Sequence, residues 1–143
     1  MSTPAYDSNN IFAKILREEM PSHKVYEDDK TVVIMDIMPR ADGHLLVLPK
    51  APSRNILDIG EDDLAAVIKT AKKMALALVK AFDADGTTLT QFSEPAGGQV
   101  VFHTHVHVMP RHKGVELRPH TGKMADNAVL AEHAEKIRIA LKG

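Results

Sequence analysis

Cysteine and tryptophan are both missing from the 143 residues, and aromatic side chains are few, with four Phe and two Tyr. Without cysteine there is no disulfide, no thiolate nucleophile and no cysteine-ligated zinc, and a reducing compartment, the cytoplasm, becomes the simpler setting. Neither sign of charge dominates, since 18 Lys and Arg face 19 Asp and Glu for a net charge of -1. The chain therefore lacks the electrostatic footprint that would draw it onto nucleic acid or an anionic lipid surface, and a phosphate ligand has to be held by a few local groups. No apolar run comes near the roughly 20 residues of a membrane span, and the opening stretch MSTPAYDSNNIF has neither the basic start nor the apolar segment of a secretion signal. With these classes set aside, the length suits one hydrophobic core, and a single domain over residues 1–143 is expected.

The periodicity of the apolar side chains supplies the elements. Ile11, Phe12, Ile15 and Leu16 recur at helical spacing, and Pro21 cannot continue that helix. Residues 24–27 and 31–37 read as two strands around the polar turn Asp28-Asp29-Lys30, the second rich in β-branched side chains. After a break at 39–43, residues 44–48 form a short apolar run bounded by Pro49, as expected of a strand buried on both faces. Residues 52–60 lead into a long helix that opens on Glu61, Asp62 and Asp63, acidic groups suited to the positive end of its dipole. Leu64, Val67, Ile68, Ala71, Leu78 and Phe82 form its core-facing stripe. A fourth strand over 87–92, a turn at Pro95-Ala96-Gly97-Gly98, a fifth strand over 100–109 ended by Pro110 and an amphipathic helix over 128–141 complete the chain. This order predicts an α+β domain on an antiparallel sheet of about five strands.

His103, His105 and His107 alternate with Phe102, Thr104, Val106 and Val108. On a strand this alternation puts three imidazoles on one side, neighbours separated by roughly 6.5 to 7 Å. Burying three imidazoles together requires partners for several ring nitrogens at once, so a merely structural role accounts poorly for the run. A His-x-His pair on a strand also suits zinc when distant residues complete the ligand set, and on spacing alone that reading stands level with a catalytic one. The turn Gly97-Gly98-Gln99 just before the run favours catalysis on a phosphate, because successive backbone N–H groups there can converge on an anion. Imidazole attacks phosphorus through Nε2 when Nδ1 carries the proton and donates it to a fixed acceptor, for which a backbone carbonyl suffices. His105 is the expected nucleophile, flanked by two histidines that can orient it, contact phosphate oxygens or pass a proton to a leaving group.

The same run resembles the motif of the histidine triad (HIT) superfamily, His-x-His-x-His followed by two apolar residues, here His103 to Met109. Ile11-Phe12-Ala13-Lys14-Ile15, Tyr26-Glu27-Asp28-Asp29, Asp36-Ile37-Met38-Pro39, the stretch from Gly43 to Lys50 and Gly97-Gly98-Gln99 are similar to family landmarks in family order. The resemblance covers residues 10–111, leaves 112–143 as a C-terminal extension, and is strongest to the histidine triad nucleotide-binding branch. It implies a HIT-like sheet with a long central helix and flanking N- and C-terminal helices, in a homodimer. It also implies a hydrolase that forms a covalent nucleotidyl intermediate on His105, with His44 and His103 orienting the nucleophile and His107 contacting the phosphate or leaving group. Asp36 would bind the ribose, Ile11, Phe12, Ile15 and Ile37 would hold a purine, and Ser93, Gln99 and the amides of Val100 and Val101 would lie near the phosphate.

Departures from the family pattern refine these expectations. Asn10 and Ala13 stand where some relatives carry a Cys-x-x-Cys pair for zinc, so neither a metal nor any other cofactor is expected. Ser93 replaces a frequent asparagine, Val100 a frequent serine and Pro52 a further histidine, while His107 in place of glutamine disfavours the nucleotidyltransferase branch. The expected substrate is a purine nucleoside phosphoramidate or a related nucleoside monophosphate conjugate. A dinucleoside polyphosphate hydrolase, and a nucleotide-binding scaffold with incidental hydrolysis, are the alternatives. His23, His112, His120 and His133 are expected in loops or on the last helix, facing solvent.

Overall fold

Alternation of apolar side chains along three short strands gives the sheet two buried faces. A computed structural model describes residues 4–119 and 123–143. Its strands are β1 (Lys24–Glu27), β2 (Thr31–Met35), β3 (Leu45–Pro49), β4 (Gly86–Thr90) and β5 (Val106–Arg111), in the order β1-β2-β3-β5-β4. All four neighbouring pairs are antiparallel. Val33 and Met35 of β2, Leu45 and Val47 of β3, and Val106 and Val108 of β5 join one core. Val32, Ile34, Leu46 and Leu48 turn to the opposite face and pack with Phe12 of α1 (Ile11–Leu16).

Two longer helices cover the first face. α2 (Glu61–Phe82) buries Val67, Thr70, Ala71, Met74, Ala77 and Leu78, the three-four spacing of a single helical stripe. Each large apolar side chain so buried contributes about 1.5 to 3 kcal/mol relative to exposure. Ile68, expected on this stripe, lies on the outer side of the helix and is half exposed, because it follows Val67 by one residue and so turns 100° away. α3 (Asn127–Lys142) begins at Asp126, whose carboxylate accepts the amide of Ala128, and lays Leu130, Ala134 and Ile137 into the same core. Among the described residues no helix is long and apolar enough to cross a membrane.

Strand ends differ from expectation for local reasons. β2 stops at Met35 instead of residue 37 because the Asp36 carboxylate accepts the amide of Met38 at 2.9 Å, closing a turn. β5 starts at Val106, six residues later than expected. Its ladder to β3 closes at the pair Val47 and Val106, and two residues beyond Val47 comes Pro49, which has no N–H to extend it. Residues 100–105 instead approach the sheet as a loop, with the amide of Thr104 bonded to the carbonyl of Ser53 at 2.9 Å. Pro110 does not end the strand. Beyond Val108 only β4 lies beside β5, through the pairs Met109 with Thr88 and Pro110 with Thr87, so a residue without an N–H is tolerated.

Candidate functional site

The β5 start changes the geometry of the histidine run. His103 and His105 lie in the loop before β5 and only His107 lies within it, so the three rings are not an evenly spaced row. The chain bends there, and the His105 and His107 rings meet edge to face with centroids 5.0 Å apart. His44, immediately before β3, faces His107 with centroids 5.1 Å apart. The sheet thus brings His44, His105 and His107 together, with Phe12 of α1 against the His105 ring at 4.8 Å and Phe92 against the His107 ring at 5.4 Å. His103 is set behind them, 1% exposed.

Hydrogen bonds fix which nitrogen of each ring carries a proton. His105 Nδ1 lies 2.6 Å from the carbonyl oxygen of His103, which can only accept, so Nδ1 is protonated and Nε2 keeps its lone pair. His103 Nε2 donates to the carbonyl of Pro49 at 2.9 Å, leaving Nδ1 to accept the Tyr6 hydroxyl at 2.7 Å. The amide of Arg40 donates to His44 Nδ1 at 3.0 Å. In its neutral form His44 therefore carries the proton on Nε2 and donates it across 2.9 Å to His107 Nδ1, which places the proton of a neutral His107 on Nε2. Burial pushes the His105 imidazole below the ordinary histidine range, against the opposing effect of its bond to the His103 carbonyl. Burial likewise brings His103 down to about 4. The His105 ring, with an uncharged Nε2, thus packs against the His107 ring, whose proton lies on Nε2.

Side chains hold the loop that leads into this group. Glu94 has φ 64 and ψ 162, a combination that strongly favours glycine. Its carboxylate is gripped by Arg54 at 2.8 and 3.0 Å and by the Asn55 amide at 2.6 Å. Its backbone N–H donates to Gln99 Oε1 at 2.8 Å. Gln99 is buried, and its Nε2 donates to the carbonyls of Arg54 and Val101, so its side chain braces the loop from inside and is not turned toward a phosphate. The Arg54 guanidinium lies 4.1 Å from the centre of the Phe102 ring. Val100 projects from the same loop, 83% exposed, and Val101 packs against the Phe12 cluster. Ser93 is half-buried and exchanges hydrogen bonds with Gln91.

The remaining expected residues fall around the histidines to different degrees. Ile15 packs with Phe12, whereas Ile11 and Ile37 are each about two-fifths exposed. Asp36 Oδ2 approaches His44 Nε2 to 3.5 Å. His23, His112 and His133 are half-buried rather than solvent-facing: His23 meets Asn127, His112 bonds the carbonyl of Phe82, and His133 packs on the Phe82 ring. His120 lies outside the described residues. A cavity of about 350 Å³ under the end of α1, lined by Ile15, Leu16, Lys24, Glu27, Val32 and Lys50, has none of the four site histidines on its wall.

Asp36, His44 and His107 bring ligand atoms within 4.8 Å of one another, a spacing that could hold a metal ion. The donor chemistry opposes it. A cation on His44 Nε2 requires the ring proton on Nδ1, where it would face the Arg40 N–H. His44 and His107 are better described as a hydrogen-bonded pair, with the Asp36 carboxylate 3.5 Å from the shared His44 Nε2.

Sequence reasoning missed Tyr6, Arg40, Arg54, Asn55, Phe92 and Glu94. Most of them act across 40 or more residues, as Arg54 and Glu94 do, or through a backbone amide, as Arg40 does, and neither leaves a local signature. Glu94 alone carried a usable signal, as a charged residue directly before Pro95 in the turn that precedes the histidine run.

Comparison with known proteins places this geometry. Residues 17–114 match the family described as HIT domain. A HIT-like protein of Bartonella henselae superposes with a TM-score of 0.90 at 51% identity, over 95% of this chain and 99% of that one. A hypothetical histidine triad nucleotide-binding protein of Sulfolobus tokodaii gives a TM-score of 0.84 at 32% identity, over 92% and 91%. An adenylylsulfatase of Arabidopsis thaliana is 38% identical over 101 residues, which take in 71% of this chain and 51% of that protein, about half its length. With the sheet order, the bent histidine run and the matched length in agreement, the chain belongs to the HIT domain family and is similar to its histidine triad nucleotide-binding members.

Proposed function

We propose that this protein hydrolyses purine nucleoside phosphoramidates, or related conjugates of a nucleoside monophosphate, through a nucleotidyl intermediate on His105. The observation that carries this reading is the 2.6 Å bond from His105 Nδ1 to the His103 carbonyl, which leaves Nε2 unprotonated in a ring that meets the His107 ring edge to face at 5.0 Å. His105 Nε2 attacks phosphorus, the bond from phosphorus to the amine breaks, and the amine departs with the electron pair and takes a proton from solvent. His107 donates a hydrogen bond to the phosphoryl or leaving group, held in that tautomer by His44 and the Arg40 amide. Water then attacks phosphorus and releases the nucleoside monophosphate and free His105. Asp36 would bind the ribose, Phe12 and Ile15 with the exposed Ile11 and Ile37 would flank the purine, and the loop carrying Ser93, Val100 and Val101 would present backbone amides to the phosphate. The hydrolase names of relatives, among them the adenylylsulfatase and a HIT family hydrolase of Clostridium thermocellum, support the general chemistry.

Steady-state comparison tests the substrate. An adenosine or guanosine phosphoramidate is expected to give a higher kcat/KM than diadenosine triphosphate or tetraphosphate, and turnover should be unchanged after exhaustive chelation. A higher kcat/KM for the dinucleotides would move the substrate and keep the nucleophile. Nucleotide binding without turnover of any of them would leave a scaffold. Loss of turnover on chelation would restore the metal.

We also propose a homodimer. Ile68, Leu76 and Val79 are exposed on the outer side of α2, and Leu89 is exposed on the edge strand β4. Apolar side chains at these positions suit a two-fold interface. Sedimentation at micromolar concentration should give twice the chain mass, and replacing Leu76 by Glu should shift it to the monomer. A monomer for the unaltered protein would refute the assignment.

A further inference from the structure

The N-terminal segment ahead of α1 reaches the histidines from 97 residues away. It is shaped by its own short-range bonds: Asp7 accepts the amide of Asn9 at its carboxylate and the side chain of Asn10 at its carbonyl, and Arg17 clasps the carbonyl of Ser8. This delivers Tyr6 edge-on to the buried His103 ring, with its hydroxyl 2.7 Å from Nδ1. The opposite nitrogen is fixed on the carbonyl of Pro49 at 2.9 Å, so both ends of the imidazole are tied. The carbonyl of the same residue holds His105 Nδ1. Residue 103 lies in a loop, outside any strand ladder, where its backbone is held by its two ring anchors and by the bond of the next amide, Thr104, to the carbonyl of Ser53.

We propose that Tyr6 is a positioning residue, whose hydroxyl ties the end of the His103 ring opposite the Pro49 carbonyl and so helps fix the carbonyl that orients His105. The inference rests on His105 being the nucleophile. Without the hydroxyl the His103 ring is held at one end, the carbonyl at 103 gains freedom, and His105 samples orientations in which Nε2 no longer faces phosphorus. A misplacement of that size costs rate more than substrate affinity.

Two substitutions separate the hydroxyl from the ring. Tyr6→Phe keeps the edge contact and removes only the hydrogen bond, whereas Tyr6→Ala removes both. Both variants should lose roughly ten-fold or more in kcat while KM stays within about two-fold, following the cost of imperfect orientation. Nitrogen-15 spectra of the imidazoles give a second readout independent of turnover. In Tyr6→Phe the His103 Nδ1 resonance should move downfield toward that of an unbonded acceptor, and His105 should populate both tautomers. A fully active Tyr6→Phe beside an impaired Tyr6→Ala would reduce Tyr6 to packing and overturn the proposal, as would unaltered His103 and His105 resonances in Tyr6→Phe. If the unaltered protein turns over no nucleotide conjugate, the assignment of His105 fails, and the resonances still decide whether Tyr6 fixes His103.

Discussion

Replacing His105 by alanine should lower turnover of a nucleoside phosphoramidate by roughly four orders of magnitude or more, the scale seen when a covalent nucleophile is removed. Nucleotide affinity and thermal stability should change little. Among the described residues the ring bonds a carbonyl in a loop and meets the rings of Phe12 and His107 edge to face. Rapid quench of the unaltered enzyme followed by mass spectrometry should find the nucleotidyl group on the peptide that contains residue 105. The pH profile carries a further sign. A nucleophile must be unprotonated, and burial holds the His105 imidazole below its ordinary value. The acid limb of kcat/KM should therefore fall below the usual histidine value of about 6.5 rather than at it. Comparable turnover in His105→Ala, or an adduct on another side chain, would assign the nucleophile elsewhere.

Gly43→Ala is expected to have a large effect on stability for a single added methyl group. Gly43 has φ +86, and a Cβ built there would lie 2.5 Å from Phe82 Cε2. A positive φ costs an L-residue about 1 to 2 kcal/mol, and forcing aside a packed ring adds about 1 to 3 kcal/mol. The midpoint of thermal unfolding should fall by roughly 5 to 12 °C in a chain of this size. The cost would reach the site as well. Gly43 is the third residue of the turn that bonds the amide of His44 to the carbonyl of Ala41, and the amide of Arg40 bonds His44 Nδ1 just beyond it. A disturbed turn loosens the His44 tautomer and, through it, His107, so kcat should fall along with stability. A midpoint within about 2 °C of the unaltered protein would show that neither the positive φ nor the Phe82 contact constrains the turn.

The parts legible in the sequence were those written in local pattern. Alternation in 31–35 and 45–48, the stripe from Val67 to Leu78 and the proline and glycine breaks all act over a few residues, and the structure places sheet and helices accordingly. The histidine run was legible as chemistry but not as shape. Its alternation reads as a strand, and the bend that brings His105 to His107 comes from Pro49, Ser53 and Gln99, which belong to other segments or turn inward. Gln99 shows the limit clearly. Its place after two glycines suggested a phosphate contact, while its four hydrogen bonds to Asn55, Glu94, Arg54 and Val101 make it an internal brace.

Sequence separation within the site has a consequence for how the protein is made. The bonds that define the reacting group span 97 residues from Tyr6 to His103, 63 from His44 to His107, 54 from Pro49 to His103 and 40 from Arg54 to Glu94. Each closes a long loop, and the entropy of that closure must be offset before the contact forms. The antiparallel run β1-β2-β3 needs no such closure and precedes α2 in the chain. A nascent polypeptide that has emerged through α2 already contains Asp36 and His44 but none of His103, His105 and His107. Synthesis runs from the N-terminus, so the half that would cradle a nucleoside is complete before the half that would cut it exists.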